Sequence, residues 1–326
     1  MNNSFGNTLR LTIFGTSHAP ELGIEIEGVP RGIHLPAELF ASDLDRRRPT
    51  LKGETSRHEE DVPHIEGLDD QSMTTGQRLT ITFHNRDRRS ADYSHLERQP
   101  RPSHADRVQR LKYGAEYNLC GGGMASGRMT VALVAAGVVA KQIVPTAQYA
   151  TRLIEVGGIS DPAHFEEVIA TAQREGDSIG GVVECCVKGV TALLGEPFFD
   201  SAESIISHLL FSIPGVKGVE FGDGFSGTAK RGSERNDIII DAEGTTQTNN
   251  EGGINGGITN GNDLVVRVAI KPTPSIAREQ ITFDFERGHL STLRIGGRHD
   301  ACIARRAAVV VEAVVAIALA ELKLRG

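Results

Sequence analysis

The chain of 326 residues reads as an α+β protein built on antiparallel sheets. Two observations predict this. Short segments rich in Val, Ile and Thr arrive in groups rather than in strict alternation with helices, which disfavours a doubly wound parallel sheet. Two long segments, 126–143 (SGRMTVALVAAGVVAKQI) and 303–324 (IARRAAVVVEAVVAIALAELKL), carry Ala and Val nearly all round, the pattern of helices covered on several sides. They are expected to form an inner layer.

The strand candidates are 22–28 (LGIEIEG), 79–83 (LTITF), 181–188 (GVVECCVK), 236–241 (NDIIID) and 264–270 (DLVVRVA), each short and partly alternating. Two further helices are expected at 162–175 and 201–212. The first opens on Asp161-Pro162, a capping residue followed by proline in the first turn. No Pro-, Gly- or Ser-rich linker marks a domain cut, and no repeat of fixed period is visible.

Composition narrows the function classes. A hydrophobic content of 39% with 24% charged residues is that of an ordinary globular protein, and the net charge of −7 argues against a nucleic-acid-tracking surface. The N-terminal MNNSFGNTLR lacks the basic and apolar regions of a signal peptide, and no apolar run reaches membrane-spanning length. Cys120, Cys185, Cys186 and Cys302 form no CxxC pair, so a reduced, cytoplasmic protein is expected. The histidines show no metal-ligand spacing, and no metal is expected.

Several motifs compete for the chemistry. GDGFSG at 222–227 satisfies G-x-G-x-x-G, but polar TAKRGSERND follows where a dinucleotide fold needs a helix. Ser17-His18 in FGTSHAP lacks the G-x-S-x-G context of a serine hydrolase. More telling are three cationic runs within an acidic chain: DLDRRRP at 43–49, RDRRSADY at 86–93 and RPSHADRVQR at 101–110. Each alone is compatible with a solvated face; together they suit a pocket for a small polyanion, because guanidinium groups grip phosphate and carboxylate with paired hydrogen bonds. Glycine-rich CGGGMASGRMT at 120–130 leads into a buried helix and offers backbone N–H groups to an anion. NNEGGINGGITNGND at 249–263, ahead of KPTPS at 271–275, permits close approach of backbone to a ring or phosphate.

Taken in order, GTSHAPELG, DLDRRRP, RSADY, RPSHADRVQRLKYG, GGGMASGRMTVALVAAGVVAK, GDSIGGVVE, GEPFFD, SIPGVKGVEFGDGF, GGINGGITNG, KPTPSI and GRHDACIARRAAVVVEA resemble the chorismate synthase family from about Gly15 to the C-terminal helix. The resemblance implies one domain over 1–326, a β-α-β sandwich with helices between antiparallel sheets, and a homotetramer. It implies an anti-1,4-elimination of phosphate from 5-enolpyruvylshikimate 3-phosphate, giving chorismate, with reduced FMN required although no net redox change occurs. Whether NADPH or an outside donor reduces the flavin stays open. So do two alternatives: a paralogue acting on a related phosphorylated cyclic acid, and a non-catalytic flavin- or anion-binding homologue.

Residue by residue, the resemblance assigns His18 to the departing phosphate, with Ser17 beside it, His104 to the reduced flavin, and Asp300 to proton handling near flavin N5. Arg47, Arg48, Arg101, Arg128 and Arg298 match the substrate clamp or cofactor contacts. Flavin contacts are implied at Met124, Ala125, Ser126, Pro214, Gly215, Gly256, Lys271, Pro272, Thr273, Pro274, Ser275 and Arg298. The chain departs from the family pattern at several of these places. Met124-Ala125-Ser126-Gly127-Arg128-Met129 stands for Arg-Ser-Ser-Ala-Arg-Glu, Thr16 for an acidic residue, Ala19-Pro20 for a glycine, and Ser103 for another glycine. The chain is also short after Lys141.

Overall fold

The computed structural model describes residues 3–51, 53–87, 96–114, 117–296 and 299–326. The RSADY segment and Arg298 lie outside the described residues.

The first sheet contains β1 (Ser4–Phe5), β2 (Arg10–Gly15), β3 (Glu21–Glu27), β4 (His64–Glu66) and β5 (Leu79–His84) in the order β1-β2-β3-β5-β4, every pairing antiparallel. β3 and β5 alternate as their sequences require. Leu22, Ile24 and Ile26 pair across the ladder with Phe83, Ile81 and Leu79, and all six side chains are buried. Each such buried side chain contributes about 1.5–3 kcal/mol relative to exposure.

The second sheet contains β6 (Gln148–Val156), β7 (Gly181–Lys188) and β8 (Val216–Phe221). After a small hairpin, β9 (Ile254–Asn255) and β10 (Ile258–Thr259), comes its last strand, β11 (Leu264–Ile270), giving the order β6-β7-β11-β8. A separate hairpin pairs β12 (Gln280–Asp284) with β13 (His289–Leu293). In β7 the Cys185 side chain is buried and Cys186 only half-buried, the opposite-face placement of neighbouring residues in a strand.

Seven helices are α1 (Ala41–Arg47), α2 (Asp106–Tyr113), α3 (Thr130–Ile143), α4 (Phe165–Arg174), α5 (Ala202–Ser212), α6 (Gly232–Arg235) and α7 (Ala304–Arg325) among the described residues. α3 and α7 are the two Ala/Val-rich segments, and they pack on each other. α3 also meets β3 and β5, while α7 meets β6 and β7. That placement explains why neither helix has a polar face: each is covered by the other and by a sheet. Asp161 caps the turn before α4, its side chain accepting from Ala163 N at 3.0 Å.

The buried acids of α7 are paired. Glu312 of α7 accepts from both terminal nitrogens of Arg46 (2.8 and 2.7 Å) and from Lys141 Nζ (2.6 Å), which also reaches Asp43 at 2.5 Å. Farther along α7, the buried Glu321 accepts the backbone N–H groups of Asn7 (2.8 Å) and Leu9 (2.5 Å), tying the N-terminal segment down.

Some expectations fail for identifiable reasons. Residues 236–241 form no strand: they pair only locally, through an isolated bridge from Ile239 to Thr246, and Ile238, Ile239 and Ile240 stay exposed. β6 escapes the apolar pattern because it is an edge strand whose exposed positions, Gln148, Ala150 and Arg152, alternate with half-buried ones of mixed polarity. α1 is hidden in a run of charges. The missing connection after Lys141 is absorbed by a tight link from α3, ending at Ile143, to β6, starting at Gln148.

Candidate functional site

The loop after β2 carries Ser17 and His18 and is pinned from several sides. Asn85, just past β5, donates its amide to the carbonyls of Thr16 (3.2 Å) and Ala19 (2.8 Å), and its backbone N–H to Pro20 (2.8 Å). Thr16 Oγ1 accepts from Ala19 N at 3.2 Å. Arg57 donates to Ser17 Oγ and to the Ser17 carbonyl, each at 3.1 Å, while Glu59 holds Arg57 at 2.7 Å. The Thr16 and Ala19-Pro20 departures therefore sit in a loop tied down through the backbone of Thr16, Ser17, Ala19 and Pro20. Ser17 and His18 are both buried.

The CGGG loop threads between the two predicted histidines. Ser17 N donates to the Gly123 carbonyl at 3.3 Å. Gly121 has φ +62°, and a Cβ there would collide with the His18 ring; a Cβ on Gly122 would meet the His104 ring at 3.5 Å. Glycine is required because the backbone itself forms the floor between the rings. Ser126 then caps the turn into α3, its Oγ accepting from Arg128 N at 3.3 Å and donating to Ser17 Oγ at 3.1 Å.

One wall is cationic. Arg47, at the end of α1, and Arg128, just before α3, grip opposite oxygens of the buried Asp61, Arg47 Nη2 at 2.5 Å from Oδ2 and Arg128 Nη1 on Oδ1. Arg128 Nε also donates to Asn85 at 3.0 Å. Burial lowers the Arg47 pKa to about 10 against the pull of Asp61. Burial pushes the Asp61 carboxyl up, but the two arginines outweigh it and hold it below the ordinary value.

His104 stands on another wall, its Nδ1 2.7 Å from Asp106 Oδ1. Burial lowers the His104 pKa, with Asp106 opposing. Arg101 donates twice to Asp106 at 2.7 Å and once to Ser275 Oγ at 2.9 Å. It thus orients the acid behind His104. Lys271 Nζ reaches the Ser103 carbonyl at 2.9 Å, and its pKa falls through burial and the neighbouring Lys217. Asp300 accepts from Thr55 N at 3.0 Å and from Arg306 Nη1 at 3.0 Å, and Arg306 Nε donates to the Arg47 carbonyl at 2.8 Å.

These groups surround one cavity of about 530 Å³. It brings together Ser17, His18, Arg47, Arg101, His104, Arg128 and Asp300, with Met124, Ala125, Ser126, Pro214, Gly215, Lys271, Thr273, Pro274 and Ser275. Three expected residues are elsewhere. Arg48 caps α1 at the surface and pairs with Asp45 and the Glu60 carbonyl, since one residue of helical rotation turns it away from Arg47. Gly256 lies in the β9–β10 turn; it and Gly257 both have positive φ (59° and 91°), the demand of a two-residue hairpin. Pro272 is exposed and packs toward Gly180. Arg57, Asp61, Asn85, His299 and Arg306 were missed; only the alternation of charge in TSRHEED hinted at the first two.

Among the described residues no cluster of His, Cys, Asp or Glu is placed to hold a metal ion, and no helix is long and apolar enough to cross a membrane.

An antiparallel α+β frame enclosing a cavity of arginines, histidines and a paired carboxylate defines an enzyme for a small polyanion. The chorismate synthase family model matches residues 9–324. The chain is 50% identical to a chorismate synthase of Chitinophaga pinensis over 99% of its length and 96% of that protein, and 40% identical to one of Archaeoglobus fulgidus over 98% and 96%. A crystal structure of chorismate synthase superposes with a TM-score of 0.75 at 25% identity, covering 98% of this chain and 93% of that one. The chain belongs to the chorismate synthase family, and it is a lyase.

Proposed function

We propose that the chain eliminates phosphate from 5-enolpyruvylshikimate 3-phosphate in the anti-1,4 sense to give chorismate, with reduced FMN held in the same cavity. The observation that carries this reading is the convergence of His18, His104 and Asp300 with Arg47 and Arg128 around one space. In the reaction, phosphate departs with the electrons of its C–O bond and a ring C–H gives up a proton, leaving one more double bond. Arg47 and Arg128 hold the phosphate and stabilise the charge that grows on its bridging oxygen. His18, on the pinned loop beside them, donates a proton to the leaving group.

The residues present fit a flavin: a glycine floor between two histidines, an apolar side at Met124, Ile213 and Pro214, and donors at Lys271, Thr273 and Ser275. Bound there, reduced FMN would supply transient electron donation with no net redox change. His104, its Nδ1 held by Asp106, would present its other ring nitrogen to that ring system and exchange a proton there, and Asp300, fixed by Arg306, would receive the proton lost from the substrate. The Met124-Ala125 replacement leaves an apolar surface suited to a ring face rather than to its phosphate.

The packing of α3 and α7 on each other and on one sheet each supports a β-α-β sandwich, and a core continuous from Leu9 to Leu322 supports a single domain over 1–326. Exposed Leu193, Phe198 and Phe199 support subunit contacts in a homotetramer. Four free thiols support a cytoplasmic setting.

The test is an anaerobic assay with chemically reduced FMN that follows phosphate and chorismate together. Equal release of both is expected. Phosphate released only from another phosphorylated cyclic acid sinks the substrate assignment. Replacing the chemical reductant with NADPH shows whether the chain reduces its own flavin.

A further inference from the structure

We infer that Asp61 is a positioning residue that aims Arg47 and Arg128 at one substrate anion. The inference deepens the reading above and rests on the cavity taking a phosphorylated substrate. Two guanidinium groups side by side repel each other, and without a third group they would swing apart or toward solvent. Asp61 holds one with each oxygen. It is 3% exposed, and its backbone sits at φ +49°, a left-handed conformation that costs a non-glycine residue energy and persists only when its surroundings impose it.

What Asp61 leaves unused is as informative as what it holds. Arg47 and Arg128 are themselves more than nine-tenths buried. Arg47 Nε and Arg128 Nη2 have no hydrogen-bond partner among the described residues, although both side chains line the cavity. A buried charged donor without a partner is costly. One carboxylate shared between two arginines therefore fixes both forks and leaves a donor of each without a protein partner beside the cavity. The wall also retains a net positive charge, because a single acid serves two cations.

Charge and position predict opposite signs, which makes the role testable. Removing a negative charge beside an anion site tightens anion binding if only electrostatics matter; it weakens binding if Asp61 sets the direction of the arginines. Inorganic phosphate is titrated calorimetrically into the full chain and into Asp61→Asn, and KM and kcat are measured with the phosphorylated substrate. Asp61→Asn is expected to weaken phosphate binding roughly tenfold and to raise KM by a similar factor, with a smaller change in kcat. Asp61→Glu, which keeps the charge but moves it by a methylene, is expected to weaken binding as well, and serves if the Asn variant does not fold. Binding as tight as or tighter than the unaltered protein in either folded variant overturns the inference alone. If the unaltered chain binds no phosphate, the anion reading of this wall falls and the inference with it.

Discussion

Two clusters of charge flank α3, one toward each of its ends. At its C-terminal end, Asp43, Arg46, Lys141 and Glu312 balance acid against base, and all four carboxylate oxygens are taken. At its N-terminal end, Arg47 and Arg128 share Asp61 and keep buried donors unpaired. The first cluster is closed and joins α1, α3 and α7; the second is open and faces the cavity. Consecutive arginines in DLDRRRP separate between them, Arg46 to the closed cluster, Arg47 to the open one, and Arg48 to the surface. Neither charge density nor residue type distinguishes a binding site from a structural one here. Balance does.

The sharpest way to break the comparison is at the histidines flanking the glycine floor. His18→Ala and His104→Ala are each expected to lower kcat by about 10²–10⁴-fold while leaving substrate affinity within a few-fold. Stopped assays of chorismate formation beside equilibrium substrate binding check this, and unchanged turnover in both variants removes their catalytic role.

The clusters themselves should respond in opposite currencies. Arg128→Met is expected to cost about 10²–10³-fold in kcat/KM with little loss of stability, because Asp61 keeps Arg47. Glu312→Ala is expected to cost about 1–3 kcal/mol of stability, since Lys141 and the exposed Arg46 lose charged hydrogen bonds but keep Asp43, with kcat/KM of the folded protein unchanged. Denaturant unfolding and steady-state kinetics on both variants decide the matter. If Glu312→Ala alters kcat/KM as much as Arg128→Met does, the distinction between closed and open clusters is wrong.

Much of this was legible in the residues, and the limits follow from physics. The inner helices announced themselves through all-round Ala and Val, and the apolar ladders β3, β5, β7 and β11 through alternation. β6 and the β12–β13 hairpin did not, because edge and exposed strands need no apolar face. In the site, His18, His104, Arg47, Arg128 and Asp300 came from motif order and do converge. Asp61, Asn85 and Arg57 were invisible because their role is to hold other residues, and that requires knowing which loops meet. Gly256 misled for the converse reason: its glycine serves a turn.

Acid should reach the open side first. Burial lowers the pKa of both His104 and His299. The unfolded chain therefore binds protons at these positions before the folded chain does. Their stabilisation is complete above the unfolded value of about 6.5 and is lost as pH falls from there through the lowered folded values. The closed cluster responds later, because Glu312 is held below its ordinary value, its cations outweighing burial, and its contribution is lost only below about pH 4. Urea unfolding between pH 7.5 and 5 should show a decline, at most about 1.4 kcal/mol per pH unit for each histidine, that is shallower in His299→Gln. An unaltered slope in that variant excludes His299 as a source.

The smallest expected effect concerns Ser103, where the family pattern has glycine. Ser103 is exposed and adopts φ +57°, and its carbonyl accepts from Lys271 at 2.9 Å. A serine side chain gains nothing from that exposed position, yet its Cβ disfavours the left-handed backbone that turns His104 toward the glycine floor. Ser103→Gly removes the steric cost and gives back part of it through the greater freedom of the unfolded chain, for a net gain of about 0.5–1 kcal/mol. Because the carbonyl remains, Lys271 keeps its contact and kcat should be unchanged. A gain in stability at constant kcat marks Ser103 as backbone strain beside the site; a fall in kcat would instead mean that the hydroxyl itself belongs to the open side of the molecule.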